Sequence, residues 1–251
     1  MINEPFAIGA SPLHRLDPRC KLAAAALLTL IVAVLTRCSA LWAALIVSLG
    51  LVLIARLDIN KVARSLLIVN TFIFFLWLVV PFTVSGNALW QMGPLALTNE
   101  GLMLAARVTI KSNAIALVFI ALVATQPVAT VGPALGSLKV PGKLVQLLLL
   151  TYRYIFVIEQ EYRRLSRAAI IRGFLPRTNL HTYKTYAYMA GILFVRAGLR
   201  AERVHQAMRC RGYNGRLHTL HQFHYSHEEY LWSLVFATAM LIIGSLEWLI
   251  G

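Results

Sequence analysis

Acid is scarce in this chain: 10 Asp and Glu stand against 24 Lys and Arg among 251 residues, a formal net charge of +14. Ion and proton relays inside membranes are built on paired carboxylates, and the apolar runs between Leu22 and Ala124 contain none. Cysteine is scarce too. Cys20, Cys38 and Cys210 form no Cys-x-x-Cys pair, which argues against a disulfide framework and a thiolate metal site and leaves them as packing residues. Nucleotide and hydrolase motifs are missing as well. The nearest approach to a phosphate-binding loop, Gly136 to Leu144, has five residues between its glycines where four are needed, and Leu144 where a hydroxyl should hold magnesium. There is no Gly-x-Ser-x-Gly and no His-Glu-x-x-His, so catalysis has no evident residues and no cofactor is expected.

What is abundant is apolar surface. Hydrophobic residues make up 59%, charged residues 14%, and the mean hydropathy is +0.69, the composition of a membrane protein. The two characters separate along the chain: 15 of the 24 basic residues fall between Lys139 and Arg216. Apolar runs at about 22–36, 41–55, 66–84, 102–124 and 230–250 predict five transmembrane helices. Asp17-Pro18 is a helix start, and Arg37-Cys38-Ser39 turns the first run into the second. The first run is a retained span, since some twenty mixed residues precede it.

Charge sets the orientation. Arg15, Arg19 and Lys21 precede the first run, Arg56, Lys61 and Arg64 lie between the second and third, and residues 85–101 hold no Lys or Arg. The positive-inside rule then puts the N-terminus in the cytoplasm. Arg107 and Lys111 share one face of the fourth run and are expected to snorkel outward or face the bundle interior.

Residues 126–229 are read differently. The apolar runs 145–158 and 186–199 are tempting spans, but inserting both would place Arg163, Arg164, Arg167, Arg172 and Arg177 outside. A cytoplasmic helical domain with amphipathic faces satisfies both patterns. The predicted fold class is therefore an all-α integral membrane protein: a cytoplasmic segment 1–21, four spans over 22–125, a helical domain 126–229 and a fifth span at 230–251.

Within that domain one pattern occurs twice. Ala168 to Phe174 and Ala207 to Tyr213 both read Ala-x-x-x-Arg-Gly-aromatic, and each closes an Arg-rich helical stretch with the glycine a helix C-terminus favours. A guanidinium held at a helix end presents a rigid fork of donors to a partner's carboxylate. A second series, His218, His221, His224 and His227, recurs every third residue. Steps of three drift round an α-helix by about 60°, so the four share one face only in an irregular or 3₁₀ segment. A polar linker is favoured over a metal relay, and nucleic-acid binding is not expected, because the aromatic residues sit in apolar runs.

With its entry Leu16-Asp17-Pro18-Arg19-Cys20-Lys21-Leu22, the segment Tyr152-Arg153-Tyr154-Ile155-Phe156 and the run Arg200-Ala201-Glu202-Arg203-Val204 leading to the second motif, the chain resembles the transmembrane T components of energy-coupling factor transporters, cobalt type. In that family two short motifs, Ala-Arg-Gly or Ser-Arg-Gly, each dock on one of two ATPase subunits. Here they stand as Ile171-Arg172-Gly173 and Cys210-Arg211-Gly212, with the first position larger than usual. The resemblance implies a non-catalytic coupling subunit in the bacterial cell membrane. Its implied partners are two ATP-binding subunits, a substrate-binding membrane subunit and the bilayer, and its implied cargo is cobalt, with nickel the other candidate. The competing reading is a metal-dependent membrane enzyme or an autonomous ion carrier using the histidine series.

Overall fold

The computed structural model describes Phe6, Gly9 and residues 11–84, 88–92, 95–215 and 227–249. It is an all-α protein apart from one small hairpin. A short α1 (Pro12–Arg15) precedes α2 (Pro18–Val34), α3 (Cys38–Ile54) and α4 (Ile59–Thr83). The antiparallel strands β1 (Ala88–Met92) and β2 (Leu95–Thr98) lead into α5 (Asn99–Val118), which continues as a π-helical turn over Phe119–Val123. Then come α6 (Val128–Ser137), α7 (Gly142–Ile171), α8 (Leu180–Cys210) and α9 (His227–Leu249). Three helical stretches, Ile59–Thr83, Asn99–Val123 and Glu229–Trp248, are long and apolar enough to cross a membrane. At 17 residues each, α2 and α3 span about 26 Å against a hydrocarbon core of about 30 Å.

The described residues fall into two compact units, one from 135 to 215 and one comprising those up to 134 with 227–249. The core of the second unit is built on small side chains. Ala24 and Ala25 of α2, Ala40 and Ala44 of α3, and Ala105, Ala114 and Ala121 of α5 and its π turn are all buried, which lets helix backbones approach closely where lipid supplies no hydrophobic drive between them. The central helix is α5: it packs on α2, α3 and α4, while α9 packs on α2 and α3. Only 11% of the most apolar window of α4 is buried, against 33% for α5, so α4 offers most of its surface to whatever surrounds the bundle.

Polar contacts lock these helices together. Asn70 and Asn113 exchange amide hydrogen bonds of 3.1 and 3.0 Å between α4 and α5, and the Trp77 indole donates to Thr109 Oγ1 at 2.8 Å. The Thr98 hydroxyl donates to Val84 O at 2.8 Å and accepts from Gly101 N at 3.3 Å, closing α4 and opening α5 with one side chain. Gly101 has no alternative: a Cβ there would lie 2.8 Å from the backbone of Pro81.

One predicted feature comes out differently in detail. Residues 85–101 read as a plain loop, yet the structure builds the hairpin there, and its two short strands were too brief to show a clear alternation. Lys111 and Arg107, for which the first four spans offer no acid, take neutral acceptors. Lys111 Nζ donates to Ala33 O at 2.9 Å, capping the end of α2, and Arg107 donates to Met103 Sδ at 3.3 Å. Lysine at a helix C-terminus satisfies carbonyls the helix leaves open.

The first unit is dominated by a hairpin of two long helices. Asp-free and proline-free runs carry α7 through 30 residues and α8 through 31. They run antiparallel: Arg196 of α8 pairs with Glu161 of α7, and Tyr213 beyond α8 donates its hydroxyl to Gln146 near the start of α7. None of the residues of α7 is buried, and α8 buries only Thr182 and Met189.

Candidate functional site

The repeated Arg-Gly pattern resolves into two copies of one backbone structure. At the end of α7, Ile171 is the last helical residue, Arg172 the cap (φ −84°, ψ 14°) and Gly173 takes φ +83°. Gly173 N donates to Ile170 O at 2.9 Å and Phe174 N to Ala169 O at 3.0 Å. At the end of α8, Cys210 is the last helical residue, Arg211 the cap (φ −91°, ψ 15°) and Gly212 takes φ +78°. Gly212 N donates to Arg209 O at 3.0 Å and Tyr213 N to Met208 O at 3.0 Å. Both are Schellman ends, with the same two reversed hydrogen bonds, and both need a glycine where the chain turns left-handed.

The aromatic residue after each glycine anchors the turn. Phe174 packs edge-on to Tyr186, ring centroids 5.7 Å apart, and Tyr213 holds Gln146. The arginine just before is thereby fixed in backbone position while its side chain stays outside. Ile171, Arg172, Gly173, Cys210, Arg211 and Gly212 are all exposed, Ile171 at 85%. Among the described residues neither guanidinium has an ion-pair partner, whereas Arg163, Arg164 and Arg196 all pair within the hairpin. Each site is thus an exposed cation on a fixed backbone at a helix end, flanked in the first case by an exposed isoleucine. The helix dipole places partial negative charge at the same spot, so a partner reaching the guanidinium must approach from outside the turn. Because α7 and α8 are antiparallel, the two sites lie at opposite ends of the hairpin. From Gln146 to Ile171 is 25 helical residues, roughly 40 Å.

The histidine reading finds no support in the described residues. His218, His221 and His224 lie outside them, His227 opens α9, and no group of three potential metal ligands occurs among the described residues. One carboxylate was missed by sequence reading. Glu247, near the end of α9, accepts from Thr36 N at 2.9 Å and Thr36 Oγ1 at 2.6 Å, and from Arg37 N at 3.2 Å. It caps α3 from 210 residues away, where the cap residue Arg37 offers no side chain of its own. Nothing local in the sequence signals that contact.

Comparison with known proteins bears on this geometry. The profile of the CbiQ family, cobalt transport protein, matches residues 9–225. The chain belongs to the CbiQ family. The EcfT transmembrane protein of the energy-coupling factor transporter of Acidaminococcus fermentans is 27% identical over 255 residues, 96% of this chain and 94% of the relative. The cobalt transport protein CbiQ of Rhodobacter capsulatus is 28% identical over 143 residues, 55% of this chain and 58% of that one. An uncharacterized protein of Methanocaldococcus jannaschii is 32% identical over 120 residues, 47% of this chain and 44% of its own length. The matches thus span about half the length of the last two relatives and nearly all of the first. The family match and the apolar helices together make this chain a CbiQ-family membrane protein of all-α fold.

Proposed function

We propose that this CbiQ-family chain is the coupling subunit of an ATP-driven importer, docking two ATPase subunits at Arg172 and Arg211 and passing their motion to a substrate-binding membrane subunit. The observation that carries this reading is the pair of matching Schellman ends, each presenting an arginine without an ion pair among the described residues, at the two ends of an antiparallel hairpin. A rod of that kind transmits a displacement applied at its ends, and the chain has no nucleotide-binding loop with which to generate one. The family and the CbiQ relative favour cobalt as cargo, with nickel the other candidate. Substrate choice then rests with the partner subunit that binds the ion. The charge pattern supports an orientation with the N-terminus and the 126–229 domain in the cytoplasm, and the family resemblance favours a bacterial cell membrane.

Co-purification tests it. Tagged chain is expressed with its candidate ATPase and substrate-binding subunits, and wild type is compared with the Arg172→Ala/Arg211→Ala double variant. Each charge-assisted contact is worth about 1.5–3 kcal/mol; two independent ones lost together weaken retention more than about 100-fold. The Lys double variant keeps charge but loses the fork and falls between. Undiminished ATPase retention by a well-folded Ala double variant would sink the docking assignment.

A further inference from the structure

We propose that the π-helical turn Phe119–Val123 is a register switch: on closing to an ordinary α-turn it rotates Gln126 out of the core and turns the start of α6 with it. The turn is defined by Ala124 N, which donates to Phe119 O at 3.0 Å, five residues back, whereas Phe119 N still donates to Ile115 O and Ala116 O. A π-turn holds one residue more than the α-turn it replaces, and such insertions are rare and cluster at functional sites. Phe-Ile-Ala-Leu-Val contains neither glycine nor proline to open the helix. The α form is therefore available to these residues.

Two opposed features hold the turn. Ile120, Ala121 and Leu122 are buried in the core and pack the turn on α2 and α3, and Thr125, 2% exposed, donates its hydroxyl to Ala121 O at 2.8 Å. These contacts favour the π register. Gln126 opposes it: the residue is 5% exposed, and neither Oε1 nor Nε2 of its amide has a hydrogen-bond partner among the described residues. A buried amide left without partners destabilises the state that buries it. Latch and opposing group are consecutive residues.

Helix geometry gives the size of the step. Upstream, α5 is held by α2, α3 and α4, so when the turn closes the spare residue passes downstream. Each following residue advances about 1.5 Å and turns about 100°, taking the angular place of its successor. Gln126 then moves to the side now held by Pro127, which is exposed. The same rotation reaches α6, which starts at Val128 and by which the chain passes from one compact unit into the other. On the coupling reading proposed above, on which this inference rests for its trigger, the turn is the two-state element that ATPase movement biases.

The test uses the full chain in nanodiscs, with Cys20, Cys38 and Cys210 replaced by Ala and Gln126→Cys as the probe. N-ethylmaleimide should label that thiol slowly, each time the register shifts. Deleting Phe119 removes the spare residue, so the helix closes as α with everything after the turn left in place, and labelling should slow at least tenfold. Labelling that the deletion leaves unchanged or quickens, in a chain that still melts cooperatively, means local unfolding exposes the thiol and overturns the switch. A second variant keeps the chain length. Gln126→Leu, in the otherwise unaltered chain, should melt about 2–4 °C higher, because the buried register no longer holds an unsatisfied amide. Melting at or below that of the unaltered chain overturns the role given to Gln126. In the complex with ATPase and substrate-binding subunits, ATP should speed labelling of the Gln126→Cys chain at least tenfold, and the Phe119 deletion should abolish that increase. An unchanged rate in a complex that retains its ATPases overturns the link to coupling. A complex that sheds its ATPases counts against docking at Arg172 and Arg211, and the nanodisc labelling and the melting then decide the switch by themselves.

Discussion

Glu247 shows how much one side chain can hold at a distance. Its carboxylate takes three donors from Thr36 and Arg37, so the turn between α2 and α3 is fastened to α9, and Lys111 fastens the end of α2 to α5 at Ala33. A negative group at the start of α3 also meets the positive end of that helix dipole. Replacing Glu247 by Ala should cost about 1 kcal/mol, a typical helix cap, and lower the melting temperature in detergent by roughly 2–4 °C. Gln, which keeps an acceptor without charge, should lose less. Equal melting of all three proteins would mean the contact contributes nothing. Neither partner was legible in the sequence. A glutamate in the last turn of a span reads as an exposed end, and its role depends on residues 210 positions away. The helix ends at Arg172 and Arg211 were legible because a following glycine is a local signal, and the hydrogen bonds that close those ends, between 169 and 174 and between 208 and 213, are local too.

At the level of elements, the helix ends are the sensitive parts. A Cβ at Gly173 or Gly212 would meet nothing within 4 Å, so substitution there costs conformational strain and not a clash. At φ +83° and +78° alanine pays roughly 1–2 kcal/mol that glycine does not, and asparagine pays less. On the docking reading, ATPase retention should therefore fall in the order Gly, Asn, Ala at each site while expression stays level. If Ala retains as well as Gly, the turn geometry is irrelevant to docking. The helical character of this segment was legible from the apolar runs 145–158 and 186–199, although their extension to 30 and 31 residues was not. The strands β1 and β2 were not. Five and four residues are too few for alternation to stand out beside long apolar runs.

For the whole molecule the open variable is which end of each span faces the cytoplasm. The chain carries its own reporters: Cys38 at the α2–α3 turn and Cys210 at the end of α8 are both exposed. A membrane-impermeant maleimide applied to intact cells should label a variant retaining only Cys38 and spare one retaining only Cys210, until the cells are opened. The reverse pattern would invert the topology drawn from charge.

The hairpin has a further property that follows from its construction. Two antiparallel helices of 30 and 31 residues, each finishing in the same turn, arginine and aromatic, map approximately onto one another by a half-rotation about an axis through the middle of the pair. Such an object is pseudo-symmetric although the chain that makes it is not repeated. A pair of like ATPase subunits related by a true two-fold axis could then grip it with equivalent pockets, one on each end. On the proposed reading, one copy of this chain can sit centrally on a symmetric motor and receive its stroke from both sides at once.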